Sequence, residues 1–214
     1  RLGRVFKRVA NPRLKREETA FERIRALGHH PSDVHHIILT HLDLDHAGGL
    51  SDFPRAQVHV NKPELTATQH PGGTERFRYR AAQFEHGPYW IVHDRTDDEW
   101  HGFDVMCPLP TLGESLLMVE LPGHTRGHIG VAVRDAAGQW LLHCGDAYFH
   151  HNQVSAKDAP PSGIRAYERS VQTLPELGRG TLSSLRDLAS EPASGVTLFC
   201  SHDPFELARM NGQG

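Results

Sequence analysis

Apolar positions near the start of the chain predict a helix. Four of them recur at roughly helical spacing: Leu14, Phe21, Ile24 and Leu27. The pair Asn11-Pro12 is typical of a helix start, and Gly28 is typical of a helix end. The pattern therefore predicts a helix over residues 12–27 with one buried face.

Short strands dominate the rest of the pattern, with helices between them. The predicted strands are 36–40, 56–60, 89–93, 115–121, 128–133, 139–144 and 196–200. The predicted helices are a short one started by a capping box of Asn61 and Glu64, two over 163–173 and 179–189, and a last one capped by Asp203. Residues 70–88, rich in glycine, arginine and aromatic side chains, indicate an irregular surface segment. Strands interspersed with helices favour an α/β fold of packed layers.

The length of 214 residues is that of a single domain, which we expect to span residues 1–214. A content of 38% hydrophobic and 23% charged residues is ordinary for a soluble globular protein, and no apolar run is long enough for a membrane helix. A formal net charge of -3 without a basic stripe argues against nucleic-acid binding. The basic start of the chain lacks the apolar core of a signal peptide, and Cys107, Cys144 and Cys200 form no CxxC pair. We therefore expect a cytoplasmic protein without disulfides.

Candidate metal ligands follow four of the predicted strands. Each strand end is followed within a few residues by His41, His124, Asp146 or His202. The first of these opens the stretch THLDLDHAGG, residues 40–49, which adds Asp43, Asp45 and His46. Side chains at strand ends are held by a rigid sheet and remain open to solvent. Seven nitrogen and oxygen donors exceed what one tetrahedral zinc ion needs and suit two ions that share a carboxylate.

Four motifs in this order resemble the metallo-β-lactamase-fold hydrolases: THLDLDHAGG, LPGHTRGH (121–128), HCGDAYF (143–149) and FCSHD (199–203). Within that superfamily the chain is most similar to the N-acyl-homoserine lactonase and hydroxyacylglutathione hydrolase side. The resemblance implies a four-layer αβ/βα sandwich with the site at its edge. It further implies hydrolysis of an ester, lactone or thioester bond in a small-molecule substrate. Composition and charge lead us to expect no membrane or nucleic-acid partner, and oligomerisation stays open.

The resemblance also implies a role for each ligand. The first metal would be held by His41, residue 43 and His124, and the second by Asp45, His46 and His202, with Asp146 bridging. Asp45 would in addition orient or deprotonate the attacking water. The ions would be divalent, most often Zn, with Mn or Fe as alternatives. Two other functions stay open: a mononuclear iron oxygenase of the same fold, and a non-catalytic metal-binding or signalling member.

Asp43 departs from the family motif HxHxDH, which has histidine at that position. Asp43 either ligates through oxygen and gives a harder, more anionic first site, or weakens that site by its shorter reach, or marks a degenerate site. We favour ligation, because every other ligand position is intact. Then Asp43→Ala would lower the occupancy of one metal ion and not of both.

Other parts of the chain also depart from the family pattern. No Asp-Thr-Gly turn precedes His41, so the fold is expected to lack or replace its first N-terminal strands. Tyr148 is a candidate catalytic helper, although the family tyrosine falls one position later, where this chain has Phe149; packing is the favoured role for Tyr148. His128 is expected to be an ordinary strand residue.

Overall fold

The computed structural model of the protein describes residues 12–73, 75–155 and 158–212. The α-helices in these ranges are Ala20–Ala26 (α1), Leu44–Ala47 (α2), Lys62–Gln69 (α3), Glu75–Arg78 (α4), Asn152–Ser155 (α5), Ser162–Val171 (α6), Pro175–Ser190 (α7) and Pro204–Met210 (α8). The strands are His36–Ile38 (β1), Gln57–Asn61 (β2), Tyr89–His93 (β3), Glu99–Trp100 (β4), Phe103–Met106 (β5), Leu116–Glu120 (β6), Ile129–Arg134 (β7), Trp140–His143 (β8) and Val196–Phe199 (β9). Single 3-10 turns occur at Arg16–Glu18, Pro31–Asp33, Leu50–Asp52, Ala81–Gln83 and Pro192–Ser194, and a longer 3-10 segment spans Pro110–Ser115.

The strands form two sheets. The first has the order β1-β2-β3 and is parallel throughout. The second has the order β4-β5-β6-β7-β8-β9 and is antiparallel up to β8, after which β9 runs parallel to β8. Parallel pairing of β8 and β9 brings their carboxyl ends to the same edge of the sheet, which is where Asp146 and His202 follow.

Helices cover the outer faces of both sheets. Ala67 of α3 packs against Val58 and Val60 of β2 in one hydrophobic cluster. Leu185 of α7 packs with Leu142 and Leu198 of the second sheet in another. Between the sheets, Ile38 of β1 packs against the buried residues Met118 and Ile129. The resulting order of helix, sheet, sheet and helix agrees with the layered α/β fold that the sequence predicts.

The first predicted helix is shorter than expected. Residues 12–15 are not helical, and α1 begins only at Ala20, where the Thr19 hydroxyl accepts a hydrogen bond from the backbone N–H of Glu22. None of its residues is fully buried, so the expected buried face is also wrong; Phe21 is partly buried, with its ring 6.4 Å from that of Phe53. The proposed cap at Asn11 lies outside the described residues. Thr19 caps the helix instead, because its hydroxyl accepts a hydrogen bond from an N–H of the first turn, which has no partner within the helix.

The predicted capping box at α3 is also wrong, although the helix is present. The Asn61 side chain makes no capping bond and donates instead to the carbonyl of Gly127. The Glu64 carboxylate is fully buried and binds other segments. Both side chains serve tertiary contacts, which a local sequence pattern does not reveal.

Further differences concern short elements. Residues 70–88, expected to be irregular, contain α4 and a 3-10 turn at Ala81–Gln83. Strands β4 and β5 were not predicted, because they are too short to show an alternating pattern. Helix α7 begins at Pro175, before the predicted 179, with proline in its first turn. The other predicted strands and helix α6 lie within two residues of their expected bounds, and Asp203 caps α8 as predicted.

One glycine pair brings the loop of His124 against α7. A Cβ atom at Gly123 would lie 2.3 Å from Cα of Gly178, and Gly123 has a φ of 147°. The Leu174 N–H donates to the Gly123 carbonyl and the Thr173 N–H to the His124 carbonyl. Glycine at both positions lets the two backbones approach closely enough to fix this loop.

In the described ranges, no helix is both long enough and apolar enough to cross a membrane.

Candidate metal centre

Three buried ligand atoms from three strand ends meet at one edge of the sheets. His41 follows β1, His124 follows β6 and Asp146 follows β8. Asp146 Oδ2 lies 3.5 Å from His124 Nε2 and 3.9 Å from His41 Nε2. His41, His124 and Asp146 are 0%, 4% and 4% exposed. We call these three residues the first triad.

A second group of donors lies next to the first and is open to solvent. Asp45 and His46 come from α2, and His202 follows β9. Asp45 Oδ2 lies 3.7 Å from His46 Nε2 and 3.6 Å from His202 Nε2. The Asp45 and His202 side chains are 43% and 41% exposed. We call these three residues the second triad.

Asp146 connects the two triads. Its Oδ1 lies 3.3 Å from His46 Nε2, and its Oδ2 lies 3.4 Å from His202 Nε2, in addition to its contacts with the first triad. Burial alone would raise the pKa of Asp146, but its close contacts with the imidazoles of His202 and His46 outweigh burial and hold this pKa well below its usual range. One carboxylate thus stays ionised between four imidazoles.

The donor atoms of both triads fit divalent cations. Among the described residues, His41 Nε2, His46 Nε2 and Asp146 Oδ1 are buried and have no hydrogen-bond partner. Buried polar atoms are normally paired, so unpaired acceptors that face one another indicate a site for a cation. Imidazole nitrogen and carboxylate oxygen are ligands of Zn, Mn and Fe ions.

Asp43, the departure from the family motif, lies beside the first triad and is paired with an arginine. Its Oδ2 lies 3.1 Å from His124 Nε2, 3.5 Å from His41 Nε2 and 2.5 Å from Nη1 of Arg78. Burial would raise the pKa of Asp43, but its close contacts with His124 and His41 and the charge of Arg78 hold this pKa well below its usual range. Sequence reasoning missed Arg78, which sits in the segment interpreted as irregular.

Two buried groups orient the first triad. The Thr40 hydroxyl lies 3.0 Å from His41 Nδ1. His128 is fully buried; its Nδ1 lies 2.9 Å from the Leu121 carbonyl, and its Nε2 lies 2.9 Å from the backbone nitrogen of Asp146. The proton of His128 is therefore on Nδ1, and Nε2 accepts from Asp146. His128 is not the ordinary strand residue that the sequence analysis expected.

The buried carboxylate of Glu64 joins the two loops that carry His41 and His124. Its Oε1 accepts from the Leu42 N–H at 2.9 Å and from the Tyr79 hydroxyl at 3.0 Å. Its Oε2 accepts from the Gly127 N–H at 3.1 Å. Ligand loops from distant parts of the chain are thereby held at a fixed separation.

Tyr148 points away from the triads. It is fully buried in the core beneath the second sheet, and its hydroxyl donates to the carboxylate of Glu206 at 3.0 Å. Burial raises the pKa of its phenol far above the usual range. This environment favours the packing role for Tyr148 over the catalytic one.

Two aromatic side chains lie beside the centre, the buried Phe149 and the half-exposed Tyr167. The Phe149 ring lies 5.8 Å from that of His124 and 5.9 Å from that of His202. The Tyr167 ring of α6 lies 5.4 Å from that of Phe149 and is 47% exposed. Burial, followed by the nearby charge of Asp45, raises the pKa of Tyr167. Sequence reasoning missed Tyr167, because no motif marks it.

A third set of potential ligands, His150, His151 and Asp203, has a structural use. Asp203 Oδ2 accepts from the backbone N–H of His151 and lies 2.7 Å from its Nδ1. Asp203 Oδ1 accepts from the N–H of Phe205 at the start of α8. Both carboxylate oxygens are thus already paired.

Comparison with known proteins identifies the family. A model described as the metallo-β-lactamase superfamily matches residues 11–184. A probable metallo-hydrolase of Mycobacterium tuberculosis is 40% identical over 212 residues, which cover 97% of this chain and 68% of the relative. The chain belongs to the metallo-β-lactamase superfamily. The resemblance that the four motifs indicate is therefore confirmed.

Lactonases are also among the proteins that this chain is similar to. An N-acyl homoserine lactonase, AttM of Rhizobium johnstonii, is 27% identical over 195 residues, which cover 90% of this chain and 67% of the relative. Among solved structures, an N-acyl homoserine lactone hydrolase with N-hexanoyl-L-homoserine at its catalytic metal centre aligns with a TM-score of 0.66. It is 18% identical, and the alignment covers 92% of this chain and 67% of that one, which supports the α/β metallo-β-lactamase fold. The chain spans about two thirds of the length of these proteins.

Proposed function

We propose that this protein is a metal-dependent hydrolase that holds two divalent ions, with Zn as the favoured metal. It cleaves an ester, lactone or thioester bond of a small molecule. The observation that carries the proposal is Asp146, whose two oxygens contact histidines of both triads. A carboxylate placed in this way can serve two ions at once. Family membership and the names of the relatives support a hydrolase.

Each triad would hold one ion. His41 and His124, with Asp43 beside them, would serve the first, and Asp45, His46 and His202 the second, with Asp146 shared. When bound, such ions lower the pKa of water and polarise a carbonyl group.

The chain's own residues would orient the reactants. The exposed carboxylate of Asp45 lies at the open side of the centre, where it can accept a hydrogen bond from water and take its proton. The half-exposed ring of Tyr167, which packs against the buried Phe149, offers aromatic surface to the apolar part of a substrate. The Tyr167 hydroxyl is neutral at ordinary pH and can donate a hydrogen bond.

Metal analysis combined with a panel of lactone, aryl ester and thioester substrates tests the proposal. We expect two equivalents of metal and turnover of at least one class. Both should fall in His124→Ala and Asp146→Ala. The exposed residues His29 and Asp187 give the matched controls His29→Ala and Asp187→Ala, which should behave as the parent protein.

Other outcomes would lead to a different function. Less than half an equivalent of metal with no turnover on any substrate would rule out the hydrolase. A single iron with oxygen uptake would instead indicate the oxygenase.

A further inference from the structure

Arg78 brings a fixed positive charge to the ligands of the first triad. Its Nη1 lies 2.5 Å from Asp43 Oδ2 and 3.0 Å from His124 Nε2. The Arg78 and Asp43 side chains are only 14% and 17% exposed, so little water screens this contact. One guanidinium nitrogen therefore faces two of the donors proposed for the first metal ion.

His124 Nε2 contacts both members of the Arg78–Asp43 ion pair, at 3.0 Å from Arg78 Nη1 and 3.1 Å from Asp43 Oδ2. A guanidinium group only donates hydrogen bonds, so a lone pair on His124 Nε2 accepts from Arg78, whereas a proton on that nitrogen is donated to Asp43. In either tautomer, the His124 nitrogen that would bind a metal ion is engaged by this ion pair, and an ion would have to displace that contact.

Contacts on the side away from Asp43 also hold the Arg78 side chain in place. Its Nη2 donates to the backbone carbonyl of Val171 at the end of α6. At the start of α4, the buried carboxylate of Glu75 accepts from the Gly72 N–H at 2.8 Å and lies 2.6 Å from Arg126 Nη2. These contacts fix both ends of the short helix, so the guanidinium group is positioned by the fold.

We propose that Arg78 is a positioning residue that weakens the first metal site, so that the protein binds its two ions with unequal affinities. This inference rests on the proposed function. Arg78 acts in two ways, since it competes for Asp43 and His124 and its charge repels a nearby cation. The arginine thus offsets the extra negative charge that Asp43 brings in place of histidine. The second triad, which Arg78 does not contact, is the tighter site.

Titration of the metal-free protein with Zn²⁺ and Co²⁺ tests the inference. Calorimetry gives the affinity of each step, and the visible absorption of Co²⁺ reports each coordination environment without any substrate. We expect one tight and one weaker step in the parent protein. In Arg78→Gln the weaker step should tighten by about tenfold or more, because a repelling charge and a competing donor are removed. Arg78→Lys should be intermediate, since it keeps the charge and loses the planar fork.

Two further variants serve as the control and as a replacement for Arg78→Gln. Arg76 lies on the same helix and is exposed, so Arg76→Gln should leave both steps unchanged. If Arg78 had a purely structural role, Arg78→Gln would weaken metal binding instead of tightening it, because a loosened loop holds the ligands less well. If Arg78→Gln does not fold, Asp43→His combined with Arg78→Met replaces it and should likewise show two tight steps.

The possible failures are distinguishable. If the parent protein binds two ions but the weaker step is unchanged or weakened in the folded Arg78 variants, the inference on Arg78 is overturned while the hydrolase stands. Two equally tight steps in the parent protein would overturn it as well. If the parent protein binds no metal, the proposed function itself fails.

Discussion

The imidazole of His128 accepts a hydrogen bond from the backbone N–H of Asp146 at 2.9 Å. The other ring nitrogen of His128 donates to the Leu121 carbonyl, so the imidazole spans the ends of two strand segments that lead to ligands. Asp146 contacts both triads, and a shift of its backbone would displace both sites.

His128→Ala should therefore weaken metal binding although His128 is not itself a ligand. Loss of a group that orients a ligand commonly costs about 10- to 100-fold in metal affinity. Competition with a chelator of known affinity measures the effect. His101 is exposed and gives the control His101→Ala. Unchanged affinity in a folded His128→Ala would show that the strand ends alone hold Asp146.

Glu64→Gln should destabilise the protein and reduce its metal content together. An amide can replace only one of the two acceptor oxygens and places an NH2 group against the N–H of either Leu42 or Gly127. The cost of leaving a buried donor unpaired is about 1–3 kcal/mol. Urea denaturation measures it, with Glu17→Gln on the exposed surface as control. A variant as stable as the parent protein would show that Glu64 does not brace the two loops.

Tyr148→Phe should lower stability and leave catalysis nearly unchanged. The substitution removes only the hydroxyl that donates to Glu206, which costs about 1 kcal/mol. On any substrate turned over, kcat/KM should stay within about twofold of the parent value. A large loss of kcat with unchanged stability would instead restore the catalytic role that the resemblance suggested.

Stability should fall in mildly acidic solution because of three histidines in the first sheet. His59 Nε2 lies 3.0 Å from His36 Nδ1, and His59 Nδ1 lies 2.8 Å from His93 Nε2. Burial and the charges of His93 and His36 lower the pKa of His59 from 6.5 to about 4, and burial lowers the pKa of His93. Below pH 6.5 the unfolded chain thus binds more protons than the folded one, and stability is lost as the pH falls from 6.5 towards 4.

Urea denaturation between about pH 7 and pH 4 measures this loss. Because acid also acts on other groups of the protein, the informative quantity is the difference between variants. His59→Leu should show a flatter decline than the parent protein, and the surface control His29→Leu should not. Parallel curves for all three proteins would exclude the His59 contacts as a source of acid sensitivity.

The ligand motifs could be predicted from sequence because each is local. A strand followed within a few residues by His41, His124, Asp146 or His202 is visible in a single stretch, and the layered fold follows from the order of strands and helices. The structure brings all of the predicted metal ligands to one edge, with Asp43 beside the first triad.

The residues that support the centre could not be predicted in this way. Arg78 meets Asp43 across 35 positions, and Glu64 meets Leu42 across 22. Such contacts depend on tertiary packing and leave no period in the sequence. Asn61 and Glu64 even resembled a local cap, because the residue types that cap helices are also those that bind backbone N–H groups elsewhere.

The pairing of Asp43 with Arg78 has a consequence for how this branch of the superfamily diverged. If the arginine is useful only where the carboxylate stands, a relative with histidine at position 43 has no reason to retain a cation at position 78. The two positions should then change together between lineages, and an aspartate at 43 with a neutral residue at 78 should be rare. An ancestor that acquired the substitution at only one of positions 43 and 78 would have had a metal centre with a different net charge. Reconstruction of ancestral sequences can therefore show which substitution came first.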